Sequence, residues 1–132
     1  MKDVIVIPTY NERQNIVPLI KEIFRVAPDI SIFVVDDNSP DGTADAVRDL
    51  QKNSSNVSLL VREKKEGLGK AYISAFHSVL KDGSVRNIIT MDADFSHQPR
   101  YVPELLKASD EFDVVIGSRY AAGGGVEGWE AW

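Results

Sequence analysis

Apolar residues along the chain follow two patterns that alternate from one end to the other. Short continuous apolar runs predict strands buried on both faces, as in a parallel sheet. Between these runs, apolar positions that recur every three or four residues predict amphipathic helices. The predicted strands are Val4 to Ile7, Ile32 to Val35, Val57 to Val61, Asn87 to Met91 and Asp113 to Ile116. The predicted helices are Ile16 to Phe24 with Asn15 as N-cap, Ala44 to Gln51, Leu68 to Leu80 and Pro99 to Ala108.

The resulting order of elements, βαβαβαβαβ, predicts an α/β fold with three layers. Strict alternation of strands and helices favours a mainly parallel sheet with helices on both faces, because right-handed crossovers leave few other topologies. The chain has 132 residues, which suits one domain of this kind. The sequence shows no helix after the fifth strand, and a run of small residues begins at Ala121. We therefore predict a domain over residues 1–120, a flexible glycine-rich segment over 121–132, and a fold truncated at its C-terminal end.

Composition and charge exclude several classes of function. The chain has no cysteine, which excludes disulfides, thiolate zinc sites and a cysteine nucleophile. Its net charge of −5 argues against a nucleic-acid partner. No apolar run is long enough to span a membrane, so we expect a cytoplasmic protein.

Polar residues directly after the predicted strands are the candidates for chemistry. Ligands of open parallel sheets bind beyond the carboxyl ends of the strands, so the loops after strands one, two, four and five should share one rim. These loops are rich in acidic residues and contain a single arginine. The candidates are Pro8, Tyr10 and Glu12 after strand one, Asp36 and Asp37 after strand two, Asp92, Ala93 and Asp94 after strand four, and Arg119 after strand five.

Asp92 and Asp94 form the clearest candidate metal site. Two carboxylates two positions apart at a strand end can approach one hard divalent cation, Mg²⁺ or Mn²⁺. The alternative is a solvated loop pair or a helix cap. Ser96 and His97 follow closely and could place a hydroxyl and an imidazole near the cation, although His97 could equally hydrogen-bond the loop backbone.

The remaining candidates have a binding and a structural interpretation each. Asp36 and Asp37 could accept hydrogen bonds from a base or ribose, or could simply form the turn that their sequence context favours. Tyr10 could stack on a base, or pack as an ordinary tyrosine. Lys70 could face a diphosphate, although the glycines before it favour a tight strand-to-helix turn. Arg119 could bind a phosphate or pair with an acid on the rim.

Taken in order, five segments resemble the family 2 glycosyltransferases with the GT-A fold, a Rossmann-like nucleotide-diphospho-sugar transferase fold. Within that family they are most similar to the dolichyl-phosphate (polyprenyl-phosphate) mannosyltransferases. The similarity extends over nearly the whole chain. The segments are Val6 to Glu12, Val34 to Thr43, Gly67 to Ala71, Met91 to His97, and Gly117 to Tyr120 with Gly123 to Gly125 and Gly128-Trp129.

The resemblance implies transfer of mannose from GDP-mannose to a dolichyl or polyprenyl phosphate, with inversion. It implies that Mg²⁺ or Mn²⁺ binds Asp92 and Asp94, with Ser96 at a place where some relatives have a glutamine that assists the cation. Asp94 and Arg119 would be catalytic, and Arg119 would face the acceptor phosphate or the donor diphosphate. The donor would contact Pro8, Tyr10, Glu12, Asp36, Asp37, Lys70, Asp92, Ala93 and Arg119.

Family members continue past this point with a part that receives the lipid, so the resemblance implies a full-length protein at the cytosolic membrane face. We expect this chain alone to bind the donor but to transfer little mannose. A UDP-sugar donor with another acceptor, and a non-catalytic sugar-nucleotide-binding module, remain open. A phosphoacceptor receiver domain fits less well, because it places its acidic pair after strand one and a lysine after strand five.

Overall fold

The computed structural model of the chain describes residues 2–115. The predicted site residue Arg119 and the predicted segment 121–132 lie outside the described residues. The strands are β1 (Lys2–Thr9), β2 (Ser31–Asp36), β3 (Val57–Val61) and β4 (Val85–Thr90). The helices are α1 (Arg13–Val26), α2 (Thr43–Gln51), α3 (Leu68–Val79) and α4 (Val102–Ala108), the last preceded by a 3₁₀ turn at Pro99–Tyr101.

The described strands form one parallel sheet in the order β3-β2-β1-β4. The two central strands end at the same level, since Thr9 pairs with Asp36 in the register of β1 and β2. Beyond β4, the Met91 N–H donates to the Val6 carbonyl at 3.1 Å and keeps the chain beside β1. The carboxyl ends of β1, β2 and β4 therefore open on one rim, as predicted.

Helices cover both faces of the sheet, which confirms the three-layer prediction. Alternate residues of β1 point to opposite faces, as the two-residue period of a strand requires. Ile5 and Ile7 pack with buried residues of α1, α2 and α4, while Val4 and Val6 pack with α3. Each face has its own apolar core, and the sheet between them is the rigid base of the rim.

Helix α1 begins earlier than predicted, so the assignment of Asn15 as N-cap is wrong. The N-cap is Glu12, and the first helical residue is Arg13. The Glu12 N–H donates to Thr43 Oγ1 and the Arg13 N–H donates to Asp41 Oδ2, both at 3.1 Å. Asn15 instead donates its side-chain amide to Glu12 Oε2 at 3.0 Å. The helix starts where another loop supplies acceptors for its free N–H groups.

The predicted fifth strand does not form in its described part. Residues 113–115 are irregular, and Val114 is 78% exposed. A short apolar run becomes a strand only where a neighbouring strand pairs with it, and among residues 2–115 no strand lies on the outer side of β4. Ile116 lies outside the described residues.

Candidate functional site

Asp36, the last residue of β2, holds the first two loops of the rim together. Its side chain is fully buried. Its Oδ1 accepts hydrogen bonds from the Thr9 hydroxyl at 2.7 Å and the Ser39 hydroxyl at 2.6 Å, and its Oδ2 accepts from the Ser39 N–H at 2.9 Å. Because both oxygens are engaged inside the protein, this geometry favours Asp37 over Asp36 as the member of the pair that contacts a ligand.

The loop after β1 is bound residue by residue to the loop after β2. Asn11 adopts a left-handed backbone conformation, with φ of 56°, that turns three consecutive N–H groups toward the second loop. The acceptors are side-chain oxygens of that loop. The pairs are Asn11 with Ser39 Oγ at 2.9 Å, Glu12 with Thr43 Oγ1, and Arg13 with Asp41 Oδ2. The two loops therefore form one unit.

The hydrogen bonds around Asp41, including the one between the two loops, lower the pKa of its carboxyl. Burial raises the pKa of its carboxyl, but hydrogen bonds from the Thr43 hydroxyl and from the N–H groups of Arg13 and Thr43 outweigh burial. The net result is a pKa below the usual value. Asp41 is thus held as a carboxylate, which suits its role as acceptor for the first turn of α1.

Arg62 positions Asp37 and was missed by the sequence analysis. Its guanidinium Nη1 lies 3.3 Å from Asp37 Oδ1, and both side chains are largely buried. Its Nη2 lies 3.3 Å from Glu66 Oε2, and Glu66 in turn pairs with Lys70 Nζ at 3.5 Å. The signal was available: Arg62 comes directly after strand three, which ends on the same rim but was not among the loops considered.

The other candidates of this half lie beside the same unit. Tyr10 is 38% exposed, and Lys65 Nζ lies 4.4 Å from the centre of its ring. A cation over one ring face is a favourable contact that a stacking base would have to share or displace. Pro8 is buried in β1 beside Val35, and Glu12 is partly buried. Lys70 lies in the first turn of α3 and is 67% exposed.

Asp92 and Asp94 are at the surface beyond β4. Burial alternates along this segment, with Met91 and Ala93 in the core and the two aspartates outside it. The Asp92 side chain is 41% exposed. Local sequence thus presents both carboxylates to solvent, as the prediction of a cation site requires.

Ser96 and His97 close the loop back onto the two aspartates. The Ser96 N–H donates to Asp94 Oδ1 at 3.0 Å, and the Asp92 N–H donates to His97 Nδ1 at 3.0 Å. Phe95 makes this reversal possible by adopting a left-handed conformation with φ of 64°, which is uncommon for a bulky residue. The Phe95 ring packs partly buried against the core on the α1 side of the sheet.

The carboxylate oxygens of Asp92 and Asp94 are suitable ligands for Mg²⁺ or Mn²⁺. The pKa of Asp94 is lowered, chiefly by a hydrogen bond from the Ser96 side chain, against the opposing effect of burial. Ionised carboxylates are the hard oxygen ligands that these cations prefer. Within the described residues there is no group of three or more His, Cys, Asp or Glu side chains that could bind a metal. A cation on Asp92 and Asp94 would therefore depend on further oxygen ligands from elsewhere, such as a diphosphate.

Tyr72 on α3 extends this half of the rim and was not among the candidate residues of the sequence analysis. Its ring stacks on Phe76 with 5.8 Å between ring centres. Burial and the negative charge of Asp92 raise the pKa of the Tyr72 phenol to about 12, while a hydrogen bond with Thr90 opposes them. Tyr72 therefore remains protonated at neutral pH, and the pKa of its phenol depends on the charge of Asp92.

Comparison with known proteins decides the family. The sequence profile of the glycosyl transferase family 2 matches residues 4–131, which is nearly the whole chain. The chain belongs to glycosyl transferase family 2. The resemblance drawn from its five motifs is thereby confirmed.

Two curated relatives are similar to this family 2 chain over almost its full length. Polyprenol monophosphomannose synthase of Mycolicibacterium smegmatis is 41% identical over 131 residues, which cover 97% of this chain and 49% of the relative. Undecaprenyl-phosphate mannosyltransferase of Micrococcus luteus is 40% identical over 129 residues, 98% of this chain and 53% of the relative. The chain thus spans about half the length of the curated relatives it matches.

A solved glycosyltransferase structure shares the fold. A mannosyltransferase from Pyrobaculum calidifontis, solved in complex with GDP-Man and Mn²⁺, is similar with a TM-score of 0.56 and 25% identity. The similarity covers 70% of this chain and 27% of that one. With the parallel sheet and its two helical layers, this confirms the predicted GT-A fold class. Among residues 2–115, no helix is long and apolar enough to cross a membrane.

Proposed function

We propose that this chain is the donor-binding part of a mannosyltransferase that transfers mannose from GDP-mannose to a polyprenyl phosphate, with inversion. The observation that carries the proposal is the exposed Asp92–Asp94 pair beyond β4 in a family 2 chain that is 41% identical to a polyprenol monophosphomannose synthase. Because the chain spans about half of that relative, the transfer reaction is proposed for the whole protein. Donor binding is proposed for this chain itself.

The interlocked loops after β1 and β2 would bind the nucleoside. Asp37 is the proposed acceptor for hydrogen bonds from the base or ribose, and Arg62 fixes its carboxylate at 3.3 Å. Tyr10 and Glu12 would flank it, and buried Pro8 and Asp36 would support the backbone below. This half is rigid before any ligand arrives, which lowers the entropic cost of binding.

The loop after β4 would bind the diphosphate. Asp92 and Asp94 are the residues that would hold Mg²⁺ or Mn²⁺. The side chain of Ala93 is in the core, so only its backbone, between the two aspartates, would face the donor. When bound, such an ion supplies positive charge that offsets the negative charge developing on the departing diphosphate. Lys70 and Arg119 are proposed as further cations toward the phosphate groups.

The acceptor side follows from the chemistry of a phosphate nucleophile. A polyprenyl phosphate is already anionic at neutral pH, so the site needs no strong general base to activate it. Asp94 and Arg119 are the proposed catalytic residues, and Arg119 would align the incoming phosphate opposite the leaving group. Since the acceptor is a lipid, we propose that the whole protein works at the cytosolic face of a membrane.

Calorimetric titration of the chain with GDP-mannose, with and without Mn²⁺, tests the proposal. UDP-sugars and GTP are titrated in parallel to decide the donor. We expect GDP-mannose to bind in a Mn²⁺-dependent way and Asp92→Asn to weaken that binding at least tenfold, because the variant removes one charged cation ligand.

The matched control is Asp29→Asn, which changes an exposed aspartate just before β2, at the end of the strands opposite the rim. It should bind as the parent does. Unchanged GDP-mannose binding by Asp92→Asn would contradict the metal site, and tighter Mn²⁺-dependent binding of a UDP-sugar would replace the proposed donor.

A further inference from the structure

We propose that His97 is a positioning residue of the cation site: it holds the Asp92 backbone through Nδ1, faces the Asp92 carboxylate through Nε2, and does not itself bind the cation. The inference rests on the proposed function, because it concerns the same pair of aspartates. It differs from the sequence-based expectation, which left His97 free to approach the cation or to hydrogen-bond the loop.

The hydrogen bond at Nδ1 fixes the tautomer of the imidazole. His97 Nδ1 accepts the Asp92 N–H at 3.0 Å, and an acceptor nitrogen must present its lone pair and carry no hydrogen. The ring hydrogen of the neutral imidazole therefore sits on Nε2. A nitrogen that carries hydrogen has no lone pair for a metal, and the other nitrogen is occupied by the backbone. In this loop conformation neither nitrogen of His97 can be a ligand.

The nitrogen that carries this hydrogen lies closest to one oxygen of Asp92. His97 Nε2 lies 4.0 Å from Asp92 Oδ2, and the Ser96 hydroxyl lies 3.5 Å from the same oxygen. Both contacts are with Oδ2, so His97 and Ser96 lie on the same side of the carboxylate.

Asp94 is arranged in the same way by the same short loop. Its Oδ1 accepts the Ser96 N–H at 3.0 Å. Both aspartates are therefore held by residues two to five positions further along the chain. Partners of this kind, which orient a ligand without touching the metal, commonly change metal affinity 10- to 100-fold when removed.

Nitrogen-15 NMR of the metal-free chain reads the tautomer directly. The chain contains only two histidines, so His77→Asn assigns the His97 ring signals by elimination. We expect long-range proton–nitrogen correlations of His97 to show hydrogen on Nε2 and none on Nδ1. Hydrogen on Nδ1 would overturn the inference, whatever the chain binds.

Mn²⁺ affinity, measured by electron paramagnetic resonance in the presence of GDP-mannose to supply the diphosphate oxygens, then separates the roles of the two ring nitrogens. His97→Asn keeps an acceptor near the position of Nδ1 and should bind Mn²⁺ within about threefold of the parent, whereas His97→Ala should lose about tenfold. His77→Asn is the matched control and should bind normally. Parent-like affinity of His97→Ala would overturn the positioning role.

Electron spin echo measurements on the Mn²⁺-loaded parent test the last part of the proposal. We expect no coupling from a directly bound imidazole nitrogen, and such a coupling, lost in His97→Ala, would make His97 a ligand and overturn the inference. Asp92→Asn distinguishes this failure from that of the proposed function. If Asp92→Asn binds Mn²⁺ as the parent does, the site itself is wrong; if it does not bind while His97→Ala does, only the role of His97 is wrong.

Discussion

The two halves of the rim are held in place by different kinds of contact. In the nucleoside half, defined as the loops after β1 and β2, the hydrogen bonds that connect the two loops join residues 27 to 31 positions apart, and Asp36 and Thr43 are fully buried. In the diphosphate half, defined as residues 91–97, the bonds span two to five positions, and the Asp92 side chain is 41% exposed.

This difference separates stability from binding. The long-range bonds between the two loops, of which the one from Thr9 to Asp36 is buried, form only when β1 and β2 are correctly paired, so the polar residues of the nucleoside half belong to the folding unit. The polar residues of the diphosphate half depend on local chain geometry and remain accessible to ligands. We therefore expect substitutions in the first half to reduce the free energy of unfolding, and substitutions in the second half to reduce ligand binding alone.

The largest expected effect is that of Asp36→Ala. The substitution removes the acceptor of the buried Thr9 hydroxyl and of the partly buried N–H and hydroxyl of Ser39. Buried donors without partners cost about 1–3 kcal/mol each, and partial relaxation leaves a net loss of about 3 kcal/mol in the free energy of unfolding. Urea denaturation measures the loss, with Asp29→Asn as control. A loss below about 1 kcal/mol would remove Asp36 from the folding unit.

A smaller effect is expected for Thr43→Val, which keeps the shape of the side chain and removes its hydroxyl. The Glu12 N–H then loses the acceptor that lies 3.1 Å away. A buried donor left without its acceptor costs about 1–3 kcal/mol, and since this N–H is partly buried we expect about 1.5 kcal/mol by urea denaturation. Thr43→Ser should recover most of it. If the valine variant is as stable as the parent and the serine variant is not, packing of the methyl group, and not the hydrogen bond of the hydroxyl, holds the two loops.

For Asp92→Asn the expected change in unfolding free energy is within about 0.5 kcal/mol, since surface substitutions away from buried networks usually have effects of this size. The same variant should lose Mn²⁺-dependent donor binding. Urea denaturation and calorimetry on one preparation compare the two effects. A stability loss as large as that of Thr43→Val would show that the diphosphate half is also part of the folding unit, and the contrast between the halves would fail.

The fold could be predicted where the signal is local. The apolar period of α1 places Ile16, Leu19 and Ile23 in the core, and all three are fully buried. The fifth strand failed in its described part because an apolar run alone does not show whether the segment pairs with the free edge of β4, and residues 113–115 do not pair with it. The start of α1 failed for a related reason: its acceptors belong to Asp41 and Thr43, which lie 28 and 31 positions away from the N–H groups they bind.

The site residues also divide into those that local sequence predicts and those that depend on tertiary contacts. The exposure of Asp92 and Asp94 follows from residues adjacent in sequence, so position at a strand end was enough to predict it. Arg62 was missed because the loop after strand three was not considered; its contact with Asp37, 25 positions away, depends on the pairing of β2 and β3. Which of Asp36 and Asp37 contacts a ligand also depends on tertiary contacts. The sequence alone left both residues as equal candidates.

The smallest expected effect is a change in the titration of Tyr72, which tests how isolated the diphosphate half is from α3. Burial, and then the charge of Asp92, raise the pKa of its phenol from 10.0 to about 12. Because the pKa is higher in the folded state than in the unfolded one, the resulting stability is fully present below pH 10 and is lost as pH rises toward 12.

Absorbance titration of the four tyrosines should show one late component that disappears in Tyr72→Phe. In Asp92→Asn that component should titrate at lower pH, because one of the two causes is removed and burial remains. A late component that does not move in Asp92→Asn would mean that the phenol does not sense the carboxylate, and that α3 lies outside the electrostatic field of the cation site.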